Sequence, residues 1–246
     1  MTFLKPFFPI FIVFLTLTCL GIFFSILLPL YPGPDEQVHY ATIQYRAEPK
    51  EKTWPIENIT NHHADGNDIS TFHFSEEVIR LGKLSNFDDI KWQGANTSHF
   101  TTGTLGPLEA DLRTNTFKRL IDAYPQNTSP NASFYYWISS SLEQFFYTSN
   151  AIERFFALRL FSFFLYLGTL FIIYRIAKKV FDTSLHQILF TLLVGLQPML
   201  LATGTIVNID IALILGTTLF FWSALRLIEK PSPLNHLLTL ISLSIA

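Results

Sequence analysis

Charge is scarce in this chain. Of 246 residues only 15% are Asp, Glu, Lys or Arg, against about 25% in an average soluble domain. The 17 basic and 19 acidic side chains leave a formal net charge of −2, so there is no basic excess of the kind a polyanion needs. Nucleic acid is thereby excluded as a main partner. Cysteine is nearly absent: Cys19 stands alone, and no intrachain disulfide can staple any part of the fold. Internal repeats and low-complexity tracts are also missing.

What the chain has instead is apolar bulk. Hydrophobic residues make up 49% of it, 25 residues are Phe, and the mean hydropathy is +0.32. The few charges are segregated, with 14 acidic and 9 basic side chains inside residues 31–130. That distribution belongs to a polar module set into a membrane protein.

No charge occurs between Pro6 and Pro34, and Phe7–Leu30 is long enough to cross a bilayer, which takes about 20 helical residues. It exceeds the apolar stretch of a signal peptide and lacks a small-x-small cleavage site, so it reads as an uncleaved first helix. A second span runs from about Phe155 to Tyr174, followed at once by Arg175, Lys178 and Lys179. A third covers Leu185–Val207, and a fourth lies between Asp210 and Arg226 with Lys230 beyond it. The positive-inside rule puts the N-terminus, Arg175–Lys179 and Arg226–Lys230 in the cytoplasm, with residues 31–130 and Asn208–Asp210 outside a cell (inner or plasma) membrane. The last apolar run, Leu234–Ala246, is too short to span and reads as the start of a fifth helix in the N-terminal part of a longer protein.

The expected fold is all-α: a multi-pass transmembrane helical protein with a large first outer loop of short helices and irregular structure. Its parts are residues 1–30 (first span), 31–130 (extracytoplasmic loop), 131–150 (interfacial amphipathic helix) and 151–246 (the remaining spans). In the loop, Pro34-Asp35-Glu36 starts a helix running to about Ala47. Ser75-Glu76-Glu77 starts a short one ending near Gly82, and Pro107 another, with Asn86–Gly106 as loop between them. The run Phe134–Phe146 is aromatic and amphipathic, with Glu143 on its polar side. It either lies flat in the outer interface, where Trp and Tyr concentrate, or covers the polar module.

Three constellations could carry chemistry. Asp35 and His39 are four residues apart on one helix face, beside Glu36, where the first span leaves the membrane. A carboxylate and an imidazole at that spacing suit a general base and its partner, or two ligands of a divalent metal ion. Asp210, with Asn208 two residues before it, lies about 22 Å of helix from Arg226. A short carboxylate at that depth needs a wet or paired surrounding. Arg154 and Arg159 stand at the outer end of a span, where an Arg fork would suit a lipid phosphate or ordinary headgroups. His62, His63, Asp65, Asp68 and His73 lack the spacing of a calcium or zinc site and read as solvated loop. The Asn-x-Ser/Thr triplets at Asn58, Asn96, Asn127 and Asn131 matter only where that face is glycosylated.

At Pro34-Asp35-Glu36-x-x-His39 the chain resembles the GT-C superfamily of membrane glycosyltransferases. Within it, the chain looks like a bacterial family of membrane proteins of unassigned function whose first outer loop opens Pro-Pro-Asp-Glu-x-x-His. Gln197-Pro198-Met199 through Asn208-Ile209-Asp210 is similar to that family's Pro-Met…Asn-x-Asp stretch, and Phe155–Phe181 to its aromatic second helix. Gly33 replaces the family's first proline. Asn131-Ala132-Ser133-Phe134-Tyr135-Tyr136 stands where relatives carry a His-Pro-Pro-Leu-Tyr-Tyr-like segment.

The resemblance implies inverting transfer of a sugar from a polyprenyl-phosphate-linked donor to a saccharide, lipid or protein acceptor at the outer face. Asp35 would be the catalytic base, and Glu36 or His39 would orient it or join a metal site. Arg154 or Arg159 would stabilise the departing phosphate, and Asp210 with Asn208 would face the same cavity. A transporter or flippase of a lipid-linked saccharide and a non-catalytic envelope binding or assembly protein are the rival classes.

Overall fold

The structure, a computed structural model, describes residues 8–31, 35–47, 75–85, 102–114 and 133–245. The His62–His73 cluster, the four Asn-x-Ser/Thr triplets and the predicted helical positions Phe117, Leu120 and Ile121 lie outside them. All regular structure among the described residues is helical: α1 (Phe8–Leu27), α2 (Glu36–Ala47), α3 (Glu76–Leu84), α4 (Thr102–Thr114), α5 (Phe134–Phe145), α6 (Ala151–Val180), α7 (Ser184–Gly195), α8 (Pro198–Thr205), α9 (Asp210–Glu229) and α10 (Pro233–Ile245). The chain divides into two compact units, one of residues 1–27 and 159–246, the other of residues 28–158.

In the first unit α1, α6 and α9 are each long and apolar enough to cross a membrane. At 1.5 Å per residue they measure about 30, 45 and 30 Å, against a hydrocarbon core of about 30 Å. One stripe of α1, Ile10, Val13, Leu17, Gly21 and Ser25, is buried, while Phe11, Ile12, Leu15, Ile22, Phe23 and Ile26 face outward. That is the helical spacing of a span with one protein-facing seam. At Gly21 an added Cβ would stand 2.0 Å from the Phe163 ring, so only glycine admits this approach of α1 to α6.

The predicted third span is broken. α7 and α8 are bent by 61° across Leu196-Gln197. Pro198 has no N–H to offer a continuing helix and sits in the first turn of α8, where none is needed. The Gln197 side chain accepts from Leu200 N at 2.6 Å and caps the new start. The Tyr166 hydroxyl donates to the Gly195 carbonyl at 2.7 Å, satisfying a group that the break orphans. Neither partner is visible in a count of apolar residues, which read Leu185–Val207 as one helix.

The second unit holds α2–α5 and the first two turns of α6, with α2 packed on α5 and α3, and α3 on α4. Helix α2 begins as the sequence predicts. Helix α3 starts where expected, with Ser75 accepting from Val78 N at 3.2 Å, and continues two residues past Gly82. Helix α4 corrects the reading at Pro107: it begins at Thr102 and carries the proline inside. Proline removes one helical hydrogen bond without ending the helix here.

Candidate functional site

The motif that carried the resemblance opens the second unit. Asp35 is exposed and adopts φ 64°, a left-handed conformation that Asp and Asn accept more readily than most residues. Its carbonyl accepts from Val38 N and His39 N, both at 2.9 Å, so Asp35 forms the entry to α2. Glu36, next in the chain, is fully buried. One carboxylate faces out and its neighbour faces in.

His39 lies one turn further along. Its Nδ1 is 2.7 Å from the Tyr136 hydroxyl, which joins α2 to α5 across 97 positions of sequence. The Arg46 guanidinium stands 5.6 Å from the centre of the Tyr136 ring, and Gln144 Nε2 donates to the Ala47 carbonyl at 2.9 Å. Tyr136 is the residue that sequence reasoning passed over, since the segment around it lacks the histidine and prolines of its relatives. The surviving Tyr135-Tyr136 pair was the signal that could have found it. Asp35 precedes α2 in its left-handed conformation, so the four-residue helical spacing to His39 does not carry over to it. Among the described residues no three His, Cys, Asp or Glu side chains gather around a common point, so the pair gains no third protein ligand there.

Glu143 lies on the more polar side of α5, and that side is buried. The outward face of α5 carries Phe134, Trp137 and Phe145, and its buried face carries Tyr135, Tyr136, Ser139, Ser140 and Glu143. The physical reason is Arg154. Its Nη1 pairs with Glu143, its Nη2 with Glu77 of α3, and its Nε donates to the Ser149 carbonyl at 3.2 Å. All three charged side chains are no more than 2% exposed. The planar guanidinium suits this task because it presents donors in fixed, divergent directions.

Beside this cluster, Tyr40 is fully buried, with its ring edge-on to Phe155 at 5.2 Å. Its hydroxyl accepts from Gln44 Nε2 at 3.4 Å, and Gln44 Oε1 accepts from the Ser75 hydroxyl at 2.7 Å. Burial, reinforced by the Glu143 charge, holds the Tyr40 phenol well above its usual value near 10.

The remaining predicted residues lie in the first unit. Arg159 is fully buried, and its Nη1 donates to the Ser25 carbonyl at 3.0 Å. That places a cation on the last turn of α1, where carbonyls lack helical partners and the dipole is negative. Asn208 is buried, and its Oδ1 accepts from Asp210 N at 2.7 Å, which caps α9. Asp210 is exposed in the first turn of α9. The structure thus places Asp35 at the entry to α2 and His39 within it, pairs Asn208 with Asp210, and gives Arg154 and Arg159 partners within the protein.

These features define an all-helical, multi-pass membrane protein with a polar helical module carrying an acidic helix start. Residues 135–246 match the family of dolichyl-phosphate-mannose-protein mannosyltransferases, a GT-C-type likeness that starts inside α5 and covers somewhat under half the chain. No curated protein and no solved structure matches the chain.

Proposed function

We propose that the protein is a membrane glycosyltransferase that moves a sugar from a polyprenyl-phosphate carrier to an acceptor hydroxyl at the extracytoplasmic face, with inversion. The match of residues 135–246 to a lipid-linked mannosyltransferase family carries this reading. Asp35 is the base: it takes the proton of the acceptor hydroxyl as that oxygen bonds to the anomeric carbon and the bond to the carrier phosphate breaks. Its exposure and its fixed backbone at the start of α2 suit that role. Glu36, buried next to it, holds the helix start, and the Tyr136 hydroxyl holds the His39 ring one turn further along. Arg154 acts through position, fastening α3 and α5 within the unit that carries Asp35.

One observation favours a rival. Broken membrane helices are common in secondary transporters, where unwound backbone coordinates the cargo. At the break between α7 and α8, Tyr166 and Gln197 already engage the freed backbone groups, which favours a structural break.

The test is release of polyprenyl phosphate by the protein in lipid vesicles supplied with polyprenyl-phosphate-linked sugars and acceptors. Asp35→Asn keeps the shape and tolerates the left-handed backbone. It is expected to slow release by about 100-fold or more, the ordinary contribution of a general base. Unchanged release would remove Asp35 as base. Transbilayer movement of the intact donor without release would establish the transporter instead.

A further inference from the structure

The end of the first unit formed by the last turns of α6 and α9 carries a constellation outside the proposed site. Trp222 and Arg226 are one turn apart on α9, and Arg175 reaches the same indole from α6. The Arg226 guanidinium lies 4.9 Å from the Trp222 ring centre and that of Arg175 lies 5.8 Å from it. The two cations therefore stand no more than about 11 Å apart, about one Debye length at 0.1 M salt. Neither guanidinium pairs with a carboxylate among the described residues. The nearby Glu229 is bonded to Lys179.

Two like charges held on one ring repel each other unless an anion lies between them. The indole Nε1–H of Trp222 is also buried and finds no acceptor among the described residues. Stacking leaves the in-plane N–H edges of a guanidinium open to an oxyanion. Arginines near span ends ordinarily extend toward water. Arg226 instead folds back onto Trp222, one turn nearer the middle of its span.

We infer that Arg175, Arg226 and Trp222 form a binding site for the phosphate of an anionic lipid at this end of α6 and α9. The two guanidinium forks donate to the phosphate oxygens and the indole fixes their planes. Lys178 and Lys230 add general positive charge without building the site. This inference stands apart from the proposed transfer reaction and does not depend on it.

Native mass spectrometry of the whole protein in detergent, titrated with phosphatidylglycerol or phosphatidylcholine, tests it. Phosphatidylglycerol is expected to bind about tenfold more tightly, and R175Q/R226Q to reduce that preference to about twofold or less. K178Q/K230Q, which removes the same charge, is expected to keep the preference. Equal losses in the two double variants would show diffuse attraction and overturn the site, as would a wild type without preference. Should R175Q/R226Q fail to fold, R175K/R226K retains charge and bulk but not the planar forks. It is expected to lose the preference, and retention would overturn the inference. Competition by millimolar inorganic phosphate would identify the phosphate group alone as the ligand, and failure to compete would identify the lipid headgroup with its chains.

Discussion

Replacing Arg154 by Met is expected to damage the second unit more than replacing either carboxylate it holds. Arg154 is 1% exposed and bonds Glu77, Glu143 and the Ser149 carbonyl at once. Its removal leaves two carboxylates that faced a shared cation in a site where water does not reach. Breaking a buried ion pair by deleting one partner costs about 3–5 kcal/mol. By contrast, Glu77→Gln or Glu143→Gln leaves the guanidinium one carboxylate and an amide oxygen. That substitution costs about 1.5–3 kcal/mol, the range for a hydrogen bond to a charged group. At about 2–4 °C per kcal/mol, the low end of the Arg154→Met cost lowers the unfolding midpoint by about 6–12 °C. The assay is thermal unfolding in lipid nanodiscs followed by near-ultraviolet circular dichroism, which reports the aromatic packing of Tyr31 and Tyr40 on Phe155. Arg154→Lys is expected to fall between, since an ammonium cannot span three divergent acceptors. The reasoning is refuted if Arg154→Met is no more destabilising than Glu143→Gln.

Two further outcomes follow from the same packing. Because the Tyr40 phenol is held above its ordinary value near 10, the folded protein binds more protons than the unfolded chain above that pH. Stability is therefore fully present below about pH 10 and falls as pH rises further, and Tyr40→Phe is expected to flatten that loss in unfolding curves taken between pH 8 and 11. At Gly204 an added Cβ would meet Tyr166 Cβ at 2.6 Å, whereas at Gly168 the nearest atom, on Leu215, is 3.7 Å away. Gly204→Ala is expected to cost about 1–3 kcal/mol from overpacking. Gly168→Ala serves as the near-neutral control, and equal midpoints for the two variants would show that the approach of α8 to α6 is not tight.

Periodicity and composition determined the helices of this protein. An uncharged stretch of bilayer length can satisfy its backbone in lipid only by coiling, so α1, α6 and α9 were legible from residue types. Local chemistry did the same for α2 and α3, because proline, acidic residues and serine at a helix start act within one turn.

What sequence could not show is which long-range partner each polar group finds. Glu143 marks the polar side of an aromatic run, and only Arg154 makes it possible for that side to be buried. Tyr136 looks like interfacial decoration until His39 meets it from α2. Leu185–Val207 looks like one helix until Tyr166 and Gln197 make a break at Pro198 tolerable. In each case an apolar or polar label assigns a burial preference, but burying a polar group is costly or cheap according to its partner. That partner is fixed by tertiary structure alone.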